Sequence, residues 1–425
     1  MEQLKRNKDL AIIYACAIVC SVVLILECGV QECPDSPTYV SAWDNFVNGK
    51  IDMLRTPVYP CFLGVMKSLF GEQLFRIATI YLQHVIFLIS VYYFYRIAQH
   101  FISNRRVVFI VSFCYATISL FTTWNNFILT ESFAISGVVI LVYTIICLRQ
   151  TPSYISAILY TLILLMLIFL RPALVYMLPI LIIAWISLWG KKHKVALLGI
   201  SGTLIVIASL FVYMKAFERE YGLFASSRVG TINQLSIARQ YGLLDPNVIT
   251  DTKLKTQVIE SYRLYGERLD DLKDVYKDLG ELYRVADIKE LDNAISNSFK
   301  NNPMAWISAC GGRLIKSLYS PLFCSYIKLN IVRDIISLDL KLKLLYIFVV
   351  VYVIVLFIWI VRNHCIPWFS SLFCLACIGN IIVSIVGAQA EWSRLILPSM
   401  PLFLLMVGQI CTMFKIKSLS SIKFH

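Results

Sequence analysis

Apolar runs long enough to cross a bilayer recur along the whole chain, at roughly 10–27, 73–99, 107–123, 127–148, 153–170, 172–190, 195–214, 341–361, 365–386 and 395–413. Nothing else in the sequence constrains its fold as strongly. Inside hydrocarbon the backbone must satisfy its own hydrogen bonds, so segments of this length are read as helices. With a mean hydropathy of +0.72 and 58% hydrophobic residues, no water-soluble core needs so much apolar sequence. The expected fold is an all-α polytopic membrane protein with about ten spans. The first run follows Lys5, Arg6 and Lys8 and has no small-residue cleavage site, so it reads as a retained anchor.

The short connectors set the orientation. With the N-terminus in the cytoplasm, Arg96, Arg105, Arg106, Arg149, Lys191, Lys192, Lys194, Arg362 and the tail lysines Lys415, Lys417 and Lys423 all fall on the inner side. Both termini are then cytoplasmic. The formal charge of +13 is topology-setting charge, which argues against a nucleic-acid partner. Most of the 13 cysteines sit inside apolar runs, where Cys behaves as a small hydrophobe. Cys28 and Cys33 flank the first outer loop as one candidate pair, and Cys310 with Cys324 is a second. No metal-type cysteine spacing is present.

Three regions follow: a membrane module over 1–214, a segment over 215–340 rich in balanced charge on the outer side, and a second membrane module over 341–425. In the middle segment Leu269, Leu272, Val275, Tyr276, Leu279, Leu282 and Tyr283 recur at three and four, the pattern of an amphipathic helix. Asn301-Asn302-Pro303 breaks one helix, and Met304 to Leu318 reads as the next. The expectation is a small, mainly helical exoplasmic domain.

The most informative stretch is the outer loop 28–60, CGVQECPDSPTYVSAWDNFVNGKIDMLRTPVYP. Tyr39, Ala42, Trp43, Phe46 and Val47 recur at helical spacing between prolines, which predicts a short helix on the bilayer surface with Asp35 just ahead of it. Pro-Asp-Ser-Pro is also good turn chemistry, so the loop alone leaves open an Asp that only caps a turn. Other segments deliver charge to the same face: Glu131 heads the fourth span, Arg171-Pro172 joins the fifth and sixth, and Glu391 and Arg394 lie in the last outer turn. Taken singly, Glu131 reads as a helix cap, the arginines as snorkelling side chains, and Glu391 with Arg394 as a local pair. Charges near hydrocarbon are costly, and their gathering on one side points to a site.

The chemistry is narrowed by what is missing there. His100, His193 and His364 fall in inner connectors, His84 lies within the second span and His425 is terminal, so an outer site has no histidine base. No phosphate-cradling or dinucleotide-binding glycine loop stands out. One carboxylate with arginines suits sugar transfer from a lipid-linked phosphate. The phosphate leaves as an anion needing charge stabilisation, and the acceptor hydroxyl needs a base only late in an inverting displacement. A polyprenyl tail explains a site at the membrane surface.

Asp35-Ser36-Pro37-Thr38-Tyr39, then Gly49, then Arg55-Thr56-Pro57-Val58-Tyr59-Pro60 resembles the first outer loop of bacterial GT-C glycosyltransferases. These are relatives of the protein O-mannosyltransferases and the lipid A aminoarabinose transferase. Glu131 looks like that family's second acidic position, Arg171-Pro172 like its Arg-Pro after a later span, Asn302-Pro303 like its helix break, and Glu391 to Pro398 like its closing segment. The resemblance covers most of the chain, loosely from 215 to 300. It implies juxtamembrane helices, a polyprenyl-phosphate sugar donor, a glycan, lipid or protein acceptor, and a place in the bacterial inner membrane with the site outside. Asp35 would be the base with Glu131 as its catalytic partner. Arg55, Arg171 and Arg394 would hold the donor phosphate, and Tyr39, Tyr59 and Glu391 would shape the pocket. Several relatives carry Asp-Glu where Ser36 follows Asp35 here, with Glu32 three residues before, which leaves open a second loop acid and a divalent metal between Asp35 and Glu131. A polysaccharide polymerase or ligase, and a glycolipid transporter or flippase, are the competing readings.

Overall fold

The computed structural model describes residues 2–269, 271–320, 342–364, 366–388 and 391–413. Every regular element among them is helical apart from a single bridge between Gln31 and Phe127. Among the described residues seven helices are long and apolar enough to cross a membrane, eight if a bent pair is counted as one span. The chain therefore has the architecture of a helical multi-pass membrane protein.

The first of these is α1 (Glu2–Cys28), followed by the short surface helix α2 (Ser36–Val47). Next comes α3 (Val58–Phe101), a long helix broken at Gly71, whose φ of 74° a side chain would rarely adopt. The bend separates a juxtamembrane arm from the span, so the last residues of the first loop, Val58 to Pro60, already form the arm's first turn. The third apolar run is the bent pair, α4 (Arg105–Thr117) and α5 (Ser119–Thr122) with the turn after it, at 49° across an extended Ile118. Then come α6 (Glu131–Gln150), α7 (Tyr154–Leu170), α8 (Met177–Ile186) and α9 (His193–Tyr221).

Two of the ten expected spans, α7 and α8, fall short of the length of a full span. The cause is local: Pro172 disfavours helical geometry in the residue before it, and Arg171 turns extended at φ −147° and ψ 94°. Helix α9 runs on to Tyr221 and stops where Gly222 takes a left-handed conformation.

Residues 229–318 form α10 (Val229–Tyr241), α11 (Thr252–Tyr265), α12 (Leu272–Val285), α13 (Ile288–Asn301) and α14 (Pro303–Leu318). Their core is separate from that of the membrane helices, and Leu235, Val258, Val275, Leu279, Leu282 and Leu291 fill it. Buried Arg239 ties this unit together. It donates to Asp278, to the Ser261 hydroxyl at 2.8 Å and to the Glu267 carbonyl at 3.1 Å, with its guanidinium 4.6 Å over the Tyr262 ring. The Asn302 side chain accepts from the Ala305 N–H at 3.1 Å and starts α14 at Pro303, as the sequence predicts. The chain closes with α15 (Leu342–Asn363), α16 (Trp368–Gly387), α17 (Trp392–Ile396) and α18 (Met400–Met413). Cys28, Cys33 and Cys310 are free thiols. Cys324 and the tail lysines lie outside the described residues.

Helix α2 buries Tyr39 and Ala42 and lays Trp43 across Gly64 of the α3 arm, where an added Cβ would fall 1.9 Å from the indole. The expected amphipathic face is thus shifted, since Val47 is exposed. Gly64→Ala should destabilise the protein by about 1–3 kcal/mol through overpacking. Combining it with Trp43→Ala should restore part of the thermal stability in a melting experiment.

Candidate functional site

The segment before α6 fastens the first loop to the bundle. The Gln31 N–H donates to the Asn126 carbonyl at 2.8 Å, and the Ile128 N–H donates back to the Gln31 carbonyl at 3.0 Å. The Asn126 side chain donates to the Leu24 and Gly29 carbonyls at 3.0 and 2.8 Å, and its oxygen lies 3.0 Å from Nε2 of His84. Gln83 donates to the Asn125 and Phe127 carbonyls at 2.9 Å each and accepts from the Tyr59 hydroxyl at 2.9 Å. These polar groups are buried and pay their desolvation with nearly complete hydrogen bonding. A second tie runs from the loop to the end of α9. The Tyr221 hydroxyl donates to the Ile51 carbonyl at 2.6 Å, and the Arg228 N–H donates to the Met53 carbonyl at 2.8 Å.

Held in this way, Asp35 faces two guanidinium groups. Arg55 reaches Oδ1 at 2.9 Å and Arg394 reaches Oδ2 at 2.6 Å. Arg394 is the hub, since Nε donates to Glu131 Oε1 at 2.7 Å and Nη1 donates to Glu391 Oε2 at 2.8 Å. Arg171 donates to the same Glu131 oxygen at 3.1 Å. Six charged side chains from four separated segments therefore form one network, three carboxylates against three guanidiniums.

The geometry decides between the readings left open by the sequence. Asp35 stands at the N-terminus of α2 but makes no side-chain cap there; both its oxygens go to arginines. Arg171 and Arg394 do not snorkel to water, with side chains only 8% and 10% exposed. Glu391 and Arg394 do pair, but as one arm of a three-way contact. Glu131 is 1% exposed, and its Oε1 accepts from both Arg394 and Arg171. Asp35, at 36%, and Glu391, at 34%, are the accessible carboxylates of the network. Glu391 is held in the left-handed region at φ 59°, uncommon for a residue with a side chain and of a kind that clusters at functional sites.

The aromatic residues have separate duties. The Arg55 guanidinium lies 4.1 Å over the Tyr39 ring, while Nε donates to Thr38 Oγ1 at 2.7 Å. Asp52 fixes the turn into Arg55 by accepting from its N–H at 2.7 Å. Tyr59 is fully enclosed, edge-on to Tyr39 at 5.3 Å. It braces the wall behind the site and does not line it. Sequence reasoning missed Gln83, Asn125, Asn126 and Tyr276. The first three carried a signal, strongly polar residues inside or beside apolar runs. Tyr276, on α12 and 58% exposed, carried none. Burial and the nearby charges of Glu391 and Asp35 push its phenol up.

Burial alone would raise the pKa of Asp35, but the charges and hydrogen bonds of Arg394 and Arg55 outweigh it and hold the carboxyl below the usual carboxylate range. Among the described residues no three His, Cys, Asp or Glu side chains are placed to hold a metal ion together, and Asp35 and Glu131 spend three of their four oxygens on guanidiniums. No family model matches the chain, and no curated protein or solved structure matches it either.

Two outcomes are expected. Glu131→Gln removes the charge opposite two buried guanidiniums and should cost about 3–5 kcal/mol, read as a lowered melting temperature. For Asp35 the folded pKa is depressed, so its ion pairs contribute stability that is fully present above about pH 4 and lost as pH falls through the folded value. The stability gap between wild type and Asp35→Asn should therefore close as pH is lowered below about 4.

Proposed function

We propose that the chain is a glycosyltransferase of the GT-C type. In this reading it moves a sugar from a polyprenyl-phosphate donor to a glycan, lipid or protein acceptor, with inversion at the anomeric carbon. It works at the outer face of a bacterial inner membrane, with both termini in the cytoplasm and residues 229–318 forming the exoplasmic domain. The observation that carries this reading is Asp35, a partly exposed carboxylate clasped by Arg55 and Arg394 at 2.9 and 2.6 Å where surface helix and membrane helices meet.

The geometry suits the chemistry in a specific way. While clasped by two cations Asp35 is a weak base. The donor phosphate, a diester carrying one negative charge, competes for the same guanidiniums. As Arg55 and Arg394 turn to the phosphate they release Asp35, which then accepts the proton of the acceptor hydroxyl as the glycosidic bond forms. The anomeric carbon–oxygen bond to the phosphate breaks, and the leaving phosphate keeps both electrons and is stabilised by the same arginines. Glu131, out of reach of solvent, holds Arg394 and Arg171 in place throughout.

The test uses purified protein in lipid with a panel of polyprenyl-phosphate sugars, scored for release of the lipid phosphate. Asp35→Asn should keep the melting profile at neutral pH close enough to wild type to show folding, and lower transfer by about 10²–10⁴-fold. Full activity in that variant would remove the proposal. Activity that survives Asp35→Asn but is lost in Arg171→Ala would favour the polymerase or ligase reading.

A further inference from the structure

Arg394 makes its three contacts, at 2.6, 2.7 and 2.8 Å, from α17, a helix of only five residues. A helix so short is not stable by itself. Pro398 and Pro401 follow it without backbone N–H groups, so α17 cannot run on into α18 as one regular helix. A tighter turn, Leu397–Ser399, separates the two. The direction in which Arg394 points must therefore be fixed from outside its own segment.

Asn380 meets that need. It is the one amide side chain of α16, a helix without charged residues, and it is 1% exposed. A polar group enclosed within a span is costly unless its hydrogen bonds are made. The Asn380 Nδ2 donates to the Ile396 carbonyl at 3.0 Å and to the Ser399 hydroxyl at 3.0 Å. Ser399 Oγ donates in turn to the same carbonyl at 2.9 Å, and the Ser384 hydroxyl lies 3.5 Å from Asn380 Oδ1. A carbonyl can face only the nitrogen of the amide, which settles its orientation. Both donors thus go to the end of α17 and the turn after it. Helix α18 has a separate tie to its neighbours through Gln409, which accepts from Tyr352 at 2.6 Å and from Ser370 at 3.4 Å.

We propose that Asn380 is a positioning residue for sugar transfer, holding the end of α17 so that Arg394 is aimed at Asp35 and Glu131. Its part in transfer rests on the glycosyltransferase reading, whereas its aiming of Arg394 does not. The amide touches neither substrate nor carboxylate. It anchors the backbone next to Arg394, so that the guanidinium can turn from Asp35 to the donor phosphate while its stem stays in place.

The test is a double-mutant cycle read by thermal unfolding of the purified full-length protein at neutral pH, which needs no substrate. Asn380→Leu keeps the volume and removes the donors. If the amide only cements helices, its loss and that of the Asp35 charge should add. If it aims Arg394, the melting temperature lost through Asp35→Asn should shrink by about half in the Asn380→Leu background, because Arg55 alone then holds the carboxylate. Tyr352→Phe, which removes a buried hydrogen bond to α18 away from the turn, should be additive with Asp35→Asn. With a polyprenyl-phosphate sugar that the wild type turns over, Asn380→Leu should lower kcat about 10²-fold. Additive melting temperatures for Asn380→Leu with Asp35→Asn, or an unchanged kcat, would overturn the proposal. If the wild type transfers no sugar from the panel, it is the glycosyltransferase reading that fails, and the cycle still decides whether Asn380 aims Arg394. Should Asn380→Leu not fold, Ser399→Ala removes one of the amide's two acceptors and takes its place in the cycle, with the same sign of coupling expected.

Discussion

A guanidinium offers its donors in a rigid planar fork, and Arg394 uses all three nitrogens on three different carboxylates. The rest of the candidate site depends on that contact. Glu131 can be almost wholly enclosed only because Arg394 and Arg171 neutralise it. Glu391 keeps its left-handed backbone beside the same fork, and Asp35 is drawn to the surface side of it. A lysine could meet one of these acids as a point charge but not all three in a plane. The cost of taking so many charges out of water is offset only where the geometry is good throughout. One arginine therefore couples a surface loop, the head of α6 and the last turn before α18.

The helical unit over 229–318 is held to this network from outside. Buried Arg313 of α14 donates to the Ile385 carbonyl at 2.8 and 2.6 Å and to the Ala388 carbonyl, with its guanidinium 5.6 Å over the Trp392 ring. Those acceptors end α16, immediately ahead of the turn that bears Glu391. Tyr276 looks over the same turn from α12. The unit thus braces the closing turn, while the Asn126 strap braces the first loop from within the bundle.

Much of this was legible in the sequence, for reasons that can be named. The apolar runs could be found because bilayer length is a physical yardstick, and Asn302-Pro303 could be found because capping and proline chemistry are local. The site acids and arginines stood out because ionisable residues next to hydrocarbon are expensive. Their roles were less legible. Depth is not written in a sequence, so Glu131 and Asp35 read as equals although one is enclosed and the other open. Tyr59 read as a pocket residue because nothing local shows that Gln83, 24 positions on in the same broken helix, takes its hydroxyl. The break at Arg171-Pro172 was legible because a charge and a proline interrupt the apolar run there, but the early end of α8 at Ile186 was not, because apolar residues continue past it to Trp189. Arg239 and Asp278 look like surface charges in an amphipathic pattern, and only the packing of α10 on α12 makes them a core pair.

Asp35 and Arg394 are 359 positions apart. During synthesis the first loop and the head of α6 leave the ribosome long before the last turn exists. Until then Glu131 has Arg171 alone, and Asp35 has Arg55 alone. The order of biogenesis is thus built into the network: early helices insert with a provisional arrangement of charge, and translation of the final hairpin closes it. A chain cut short before that hairpin lacks Arg394 and leaves the enclosed Glu131 opposite Arg171 alone.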